Sequence, residues 1–234
     1  AADLTAADKE RFANPRRRFW LTEVELACSH SHLRVLKAII DSGAPYGLLF
    51  EDDVVLSARL PQFLAAFDVA PPPIDIIRLE ADLAPLRVSA ASPLEIDGVA
   101  LRQVWSWSSG AAGYIISRRA AQRAVETGSM LAKQTDRVLF NPYEPSLLGE
   151  FSMRHADPAL CIQSDRLQRI ETVAASDLSA GRSRRDAIEG KLRLYRALYT
   201  LGEIYERDIR MGVLKAWHQY VGGARKRTIP FEAD

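Results

Sequence analysis

The sequence is poor in cysteine and has no long apolar run. Its two cysteines, Cys28 and Cys161, lie far apart and in apolar surroundings. This usage predicts two core thiols in a reducing compartment and argues against a disulfide framework or a zinc site. No apolar stretch approaches the ~20 residues that a membrane-spanning helix needs. The first residues lack the basic and apolar regions of a secretory signal, so we expect a cytoplasmic protein.

The sequence also lacks a strong net charge. It has 31 Lys and Arg against 30 Asp and Glu, a formal net charge of +1, so a nucleic-acid partner is not expected. Hydrophobic residues make up 47% of the 234 residues, enough for a globular protein with a sizeable core. We predict a main domain over residues 1–180 and a basic, amphipathic helical extension over residues 181–234.

Three consecutive acids follow a short apolar run near the middle of the first domain. Residues 48–50 (LLF) lead into Glu51, Asp52 and Asp53, and a second apolar run follows. Short apolar runs between turn residues are typical of buried strands, and α/β sheets bind ligands at the carboxyl ends of such strands. Clustered carboxylates there need a partner, a proton or a cation. The pattern fits either a metal- or phosphate-linked site or a solvated acidic turn.

A helix is predicted to begin at Glu23. Thr22 and Glu25 have the spacing of a capping box, and Gly43 is a typical helix stop. Apolar residues recur at helical spacing along one face, at Leu26, Leu33, Leu36 and Ile40.

A second face of this helix carries Glu25, Ser29 and His32, and we expect it to face solvent. His30 and His32 are two residues apart and do not share a helix face, so a paired-histidine metal site is not expected.

A run of small residues over 108–113 precedes a predicted strand at residues 114–116. Ser117 is placed to cap the following helix, and Gly128 to end it. Small residues let a backbone approach a ligand closely, and they also simply permit tight turns. Asp136 is predicted at the start of a further short helix.

Short apolar runs predict the remaining strands. They are placed at 74–79, followed by Glu80 and Asp82; in a hairpin around Asp97-Gly98; and at 147–153 and 159–163, with His155 and Asp157 between them. Residues 164–186 are predicted to form a loop.

The chain from 186 to 221 is predicted to be helical, with two adjacent apolar stripes and many basic residues. Such a segment either packs on the domain or docks on an anionic membrane surface.

Five blocks together resemble glycosyltransferase family 25, the lipopolysaccharide-type sugar transferases. In order, they are LTEVELACSHSHLRVLKAI, PYGLLFEDDVVLS, SSGAAGYIISRRAAQRAVE, TDRVLF and ADPALCIQSD. The resemblance implies a GT-A fold, an α/β sandwich of Rossmann type, and metal-dependent, inverting transfer from a nucleotide sugar. It implies Mn or Mg as cofactor, and a UDP-sugar carrying galactose or glucose as donor. A glycan or lipid-linked glycan of the cell envelope is the implied acceptor, reached at the inner face of the cytoplasmic membrane.

The resemblance also implies roles for particular residues. Asp53 and Asp52 are the expected metal ligands, with His155 as a further ligand, and Glu51 is expected to face the ribose. Asp136 is the expected general base, with Glu80 and Asp82 as rivals. Four further residues are expected near the donor: Ser31, His32, Gly110 and Gly113.

The sequence departs from the family pattern in two ways. Val24 and Ala27 stand where glycine is usual, and His30 stands where an apolar residue is usual. The family's first strand, which helps to form the nucleotide pocket, is expected before residue 1. A non-catalytic binding or scaffold protein therefore remains an alternative, as does a magnesium-dependent phosphohydrolase, although the sequence lacks a phosphate-loop motif with a nucleophilic acid.

Overall fold

The computed structural model describes residues 5–13, 21–81, 84–143, 151–168, 209 and 211–233. The helices in this part of the chain are α1 (Ala6–Phe12), α2 (Glu23–Ser42), α3 (Leu60–Val69), α4 (Arg118–Thr127), α5 (Ser129–Ala132), α6 (Thr135–Phe140), α7 (Ser164–Gln168) and α8 (Met211–Tyr220). The strands are β1 (Tyr46–Phe50), β2 (Val54–Leu56), β3 (Ile76–Arg78), β4 (Leu86–Val88), β5 (Leu94–Ile96), β6 (Val99–Arg102), β7 (Gly113–Ser117), β8 (Met153–Asp157), β9 (Cys161–Gln163) and β10 (Arg225–Arg227).

A mixed six-stranded sheet forms the centre of the fold, in the order β1-β7-β3-β8-β6-β5. Strands β3 and β8 are parallel, and the other neighbouring pairs are antiparallel. Two small sheets, β2-β9 and β4-β10, lie beside it. The predicted α/β class is therefore confirmed.

The two faces of the central sheet pack against different helices. Because side chains alternate along a strand, Ile76 and Ile116 join the core formed by α2, α4, α5 and α6. Their sequence neighbours Ile77 and Ile115 join the core on the other side, which contains α3. The sheet is thus covered by helices on both faces.

Local signals predict the ends of α2 correctly. The Thr22 hydroxyl accepts a hydrogen bond from the Glu25 backbone, and the Glu25 carboxylate accepts one from the Thr22 backbone. Gly43 ends the helix at φ 73°, in the left-handed region that favours glycine. The predicted hairpin is also confirmed. Asp97 and Gly98 connect β5 to β6 with φ angles of 47° and 71°.

Two other predictions were wrong. His155 and Asp157 were predicted to lie between two strands, but both belong to strand β8, which begins at Met153. Of the strand predicted at 147–153, the first part falls in residues 144–150, which lie outside the described residues. The loop predicted from residue 164 begins with helix α7. The apolar stripes predicted between 188 and 205, the rest of that loop and the boundary at residue 180 also lie outside the described part of the chain.

The C-terminal segment packs on the domain. Strand β10 pairs with β4, Ile229 is fully buried, and the Ala159 backbone donates a hydrogen bond to the Pro230 carbonyl. This segment is therefore attached to the domain through strand pairing and the buried Ile229 side chain, while the β10 side chains are exposed. Among the described helices, none combines the length and the apolar character needed to cross a membrane.

Candidate active site

The topology gathers several polar groups at one edge of the central sheet. Strands β1 and β3 both run antiparallel to β7, which lies between them. Their carboxyl ends therefore meet at the same edge, next to the residues that enter β7. This edge brings together the acidic turn 51–53, Glu80 and the small-residue loop 108–112.

Glu51 is held by three side chains from two elements, α2 and β9. His32 Nε2 lies 3.2 Å and Cys28 Sγ 3.7 Å from its Oε1 atom, and Gln163 Nε2 donates to its Oε2 atom at 3.3 Å. The Glu51 backbone also donates to the Ala112 carbonyl at 2.8 Å. The carboxylate is therefore fixed in position while its side chain stays 23% exposed.

His32 is oriented by a second buried group. Its Nδ1 atom lies 2.9 Å from the Tyr114 hydroxyl, and the two rings are nearly parallel. Burial raises the pKa of Tyr114, so its hydroxyl stays protonated and can donate to Nδ1. His32 Nε2 then donates to Glu51. A chain of hydrogen bonds thus runs from β7 through α2 to the acidic turn.

The polar face of α2 faces the interior, which corrects the expectation that it is solvated. Glu25, Ser29 and His32 are only 6%, 1% and 3% exposed. Ser29 Oγ lies 3.3 Å from Thr135 Oγ1, and the Gln134 amide donates to Glu25 at 3.4 Å. The face therefore docks α2 onto the start of α6, where Asp136 lies.

Cys28 also lies on this inner side of α2, beside Glu51, and not in the apolar core as expected. Burial, followed by the charge of Glu51, raises the pKa of its thiol to about 12, and the charge of Asp136 contributes in the same direction. The other cysteine, Cys161, is fully buried, as predicted.

Asp52 and Asp53 form the turn between β1 and β2. Asp53 Oδ2 accepts a hydrogen bond from Gln163 Nε2 at 3.3 Å, so the same amide bridges Asp53 and Glu51. Burial raises the pKa of Asp53, and the nearby charge of Glu51 adds to the rise. A divalent cation would relieve this repulsion, and carboxylate oxygens are the ligands that Mg²⁺ and Mn²⁺ prefer. The chemistry of the two aspartates suits a hard cation, but among the described residues neither belongs to the group of three ligand atoms that lie close enough to share a metal.

The structure does not bring His155 to these acids. His155 lies on β8 with Arg78 and Arg102 as its strand neighbours, it is 2% exposed, and its Nδ1 atom bonds to the Ala156 carbonyl. Burial lowers its pKa to about 3. In the described part of the chain, the group of three ligand atoms close enough to share a metal is Cys28, His32 and Glu51, and His155 is not among them.

A buried ion-pair network lies beneath the small-residue loop. Glu80 is fully buried; Arg78 Nη2 donates to its Oε2 atom at 3.2 Å, and Arg166 Nη1 lies 3.2 Å from its Oε1 atom. Burial raises the pKa of Glu80, and the two arginine charges oppose that rise. Arg78 and Arg166 also donate to the Ser109 carbonyl at 2.7 and 3.0 Å.

Asp136 holds the same loop from its other side. Its Oδ2 atom accepts a hydrogen bond from the Gly110 backbone at 3.0 Å, and its Oδ1 atom accepts one from the Arg137 backbone at 2.7 Å. Gly110 has φ 102°, and a Cβ atom there would lie 2.8 Å from Arg166 Nη2 and overlap the Glu80 carboxylate. Glycine is therefore required at this position. Asp82, a rival candidate for the base, lies outside the described residues.

Gly113 and Ser31 occupy structural positions. A Cβ atom on Gly113 would overlap Cys161 Sγ and lie 2.9 Å from the Phe50 ring, so this glycine permits close packing inside the sheet. Ser31 is exposed and donates to the Ala27 carbonyl of its own helix at 3.2 Å.

Sequence reasoning missed several residues that complete the site: Arg78, Tyr114, Gln163 and Arg166. For Arg78, the sequence did contain a signal of a buried polar contact: this charged residue lies in a predicted strand between an isoleucine and a leucine. The contacts of Tyr114 and Gln163 depend on strand register, which no local pattern reveals.

The fold and this edge define the class of protein. An α/β sheet with carboxylates gathered at the carboxyl ends of its strands is typical of ligand-binding α/β domains. Residues 3–139 match the model of glycosyltransferase family 25 (LPS biosynthesis protein), which is more than half of the chain. The chain belongs to this family, and the resemblance is confirmed.

Curated relatives are named as proteins of lacto-N-neotetraose or lipooligosaccharide biosynthesis. The lacto-N-neotetraose biosynthesis glycosyltransferase LgtB of Neisseria gonorrhoeae is 31% identical over 157 residues, covering 62% of this chain and 54% of LgtB. LgtE of the same species is 30% identical over 199 residues, covering 78% of this chain and 70% of LgtE. The lipooligosaccharide biosynthesis protein lex-1 of Haemophilus influenzae is 28% identical, covering 85% and 68%. The chain spans about half the length of LgtB of Neisseria gonorrhoeae and of LgtE and LgtB of Neisseria meningitidis serogroup B.

Proposed function

We propose that this protein is a glycosyltransferase of lipopolysaccharide or lipooligosaccharide assembly. It transfers a hexose, galactose or glucose, from a UDP-sugar to a glycan or lipid-linked glycan, with inversion at the anomeric carbon. The observation that carries the proposal is that the family match includes the acidic turn, the polar face of α2 and the loop 108–112, which converge at one sheet edge.

The donor's diphosphate is assigned to the acidic turn. Asp53 and Asp52 would hold Mn²⁺ or Mg²⁺, which supplies positive charge for the leaving diphosphate. Glu51 faces the ribose hydroxyls. Its orientation is set by His32 and Gln163 before the donor arrives, and such preorganisation lowers the cost of binding.

Asp136 is assigned as the general base. It removes the proton from the acceptor hydroxyl as that oxygen bonds to the anomeric carbon and the bond to the diphosphate breaks. Two backbone N–H groups hold its carboxylate in position beside the loop. The loop 108–112, braced by Glu80 and the two arginines, forms the wall that keeps water from the donor sugar.

We place the protein in the cytoplasm, at the inner face of the membrane. Exposed apolar residues on α8, among them Val213, Trp217 and Tyr220, lie next in sequence to the exposed basic strand β10. Aromatic and basic side chains together suit an anionic membrane surface. The GT-A fold and a boundary near residue 180 are part of this proposal.

Replacing Asp53 with Asn tests the donor site, because it removes one carboxylate charge with little change in shape. Isothermal titration of UDP with Mn²⁺ should show affinity at least about tenfold weaker than in the unmodified protein, since charged contacts to a buried ligand contribute more than about 1.4 kcal/mol. Asp41→Asn, on the far end of α2, is the control. Unchanged UDP–Mn²⁺ affinity in Asp53→Asn would contradict the assignment.

A further inference from the structure

A second set of ligand atoms lies at the same sheet edge and differs in chemistry from the aspartates. Cys28 Sγ, His32 Nε2 and one Glu51 carboxylate oxygen all lie within 4.8 Å of one another. Thiol and imidazole suit borderline-soft metals such as Zn²⁺, whereas Mg²⁺ and Mn²⁺ prefer oxygen ligands. The aspartates and this cluster therefore select different ions.

Two of the three separations among these atoms are close to those around a tetrahedral zinc ion, and the third, between Cys28 Sγ and His32 Nε2, lies within 4.8 Å. With Zn–S, Zn–N and Zn–O distances of about 2.3, 2.0 and 2.0 Å, ligand atoms at tetrahedral angles lie roughly 3.3 to 3.5 Å apart. The observed separations are 3.2 Å between His32 Nε2 and Glu51 Oε1 and 3.7 Å between Cys28 Sγ and the same oxygen. Little rearrangement is needed for the three groups to share one ion.

The backbone holds the three groups in place. Cys28 and His32 are four residues apart on α2, so they lie on one face of the helix, and Glu51 follows directly after β1. His32 Nδ1 meets the buried Tyr114 hydroxyl at 2.9 Å. Metal-binding histidines are oriented in this way through their second ring nitrogen. The charges of Glu51, Asp136 and Glu25 all act on Cys28, so the surroundings favour a cation.

We propose that Cys28, His32 and Glu51 form a site for Zn²⁺ or a metal of similar preference, with Tyr114 orienting His32. On binding, the thiol proton would leave to solvent and the His32 proton would move from Nε2 to Nδ1, so that Nδ1 donates a hydrogen bond to the Tyr114 hydroxyl oxygen. The 23% exposure of Glu51 leaves a route for the ion and room for a water molecule as fourth ligand. The proposal departs from the expectation, drawn from cysteine usage, that a zinc site is absent.

Occupancy of this site has a consequence for transfer. Because Glu51 is also assigned to the donor ribose, bound Zn²⁺ competes with the UDP-sugar. This consequence rests on the proposed function, whereas metal binding itself does not and is measured without any donor.

The test is titration of the reduced, metal-free protein with Co²⁺, followed by displacement with Zn²⁺. We expect a thiolate-to-cobalt charge-transfer absorption that saturates at one equivalent. It should persist in Cys161→Ala, the matched control for the other cysteine, and disappear in Cys28→Ser. Tyr114→Phe should bind Zn²⁺ about 10- to 100-fold more weakly, as expected for loss of a group that orients a metal ligand.

A second measurement needs no variant and guards against loss of folding in Cys28→Ser. Zn²⁺ should protect Cys28 from alkylation in the unmodified protein, as located by peptide mass spectrometry, and Mg²⁺ should not. Absorption that survives in Cys28→Ser, or alkylation of Cys28 at the same rate with and without Zn²⁺, would show that the three groups form only a hydrogen-bonded cluster and would overturn the proposal.

Discussion

His155 makes the stability of this protein depend on pH in a direction that can be calculated. Its side chain is 2% exposed on β8, and burial, followed by the charge of Arg78, lowers its pKa from 6.5 to about 3. In the unfolded chain His155 therefore binds a proton near pH 6.5, whereas in the folded protein it stays neutral at that pH. The contribution of neutral His155 to the free energy of unfolding is therefore complete above pH 6.5 and is lost as the pH falls from there towards 3.

The size of the effect follows from the same values. Each pH unit below the unfolded pKa costs about 1.4 kcal/mol while the folded histidine stays neutral. Between pH 7 and pH 5, His155 alone should remove about 2 kcal/mol from the free energy of unfolding. This figure hardly depends on the folded pKa, because pH 5 lies well above a value of about 3.

Urea unfolding at pH 7 and pH 5 measures the effect in the unmodified protein and in His155→Gln. Other groups titrate in both proteins, so the difference between their pH dependences isolates His155. We expect the variant to lose about 2 kcal/mol less than the unmodified protein on acidification. Equal losses would refute the reasoning. Mn²⁺ affinity should be unchanged in His155→Gln, and a clear loss would instead support His155 as a metal ligand.

Two further predictions concern the loop 108–112 and the strand that follows it. Gly113→Ala should lower the free energy of unfolding by about 1–3 kcal/mol, because the added methyl group overlaps Cys161 inside the sheet. Chemical denaturation measures this loss. Gly128→Ala is the control, since a Cβ atom there meets nothing within 4 Å and adds only the backbone strain of a left-handed position. Asp136→Asn should lower transfer at least about 100-fold, because the carboxylate that accepts the proton is lost. Asn can keep only one of the two backbone hydrogen bonds, from Gly110 and Arg137, so UDP–Mn²⁺ affinity, which should be retained, is the check that the donor site is intact. Full turnover by this variant would exclude Asp136 as the base.

Local signals in the sequence are sufficient to place several elements. The capping box of Thr22 and Glu25, the stop at Gly43 and the hairpin at Asp97-Gly98 all appear where the pattern places them. Each depends on hydrogen bonds or dihedral angles within about four residues, so the information is contained in the neighbouring sequence. The five motif blocks likewise indicate the family through their residues and their order along the chain.

The side-chain environment of the site required the tertiary structure. Glu25, Ser29 and His32 share one helix face by their spacing, which predicts a solvated face. Glu25 and Ser29 are instead buried against the start of α6, and His32 contacts Tyr114 and Glu51. Helical spacing states which residues share a face and not what packs on it. His155 was likewise expected between two strands, but it lies within β8, paired with Arg78 and Arg102 and buried.

What the sequence by itself determined are the ends of α2, the hairpin, the acidic turn and the family to which the chain belongs. Only the tertiary structure decided that Gln163 and Cys28 contact Glu51, that Tyr114 orients His32 beside it, and that Asp136 and Glu80 brace the loop at Gly110. The physical reason is that these contacts join residues from different strands and helices. Their distances are set by sheet order and strand register, which arise from burial of the whole core.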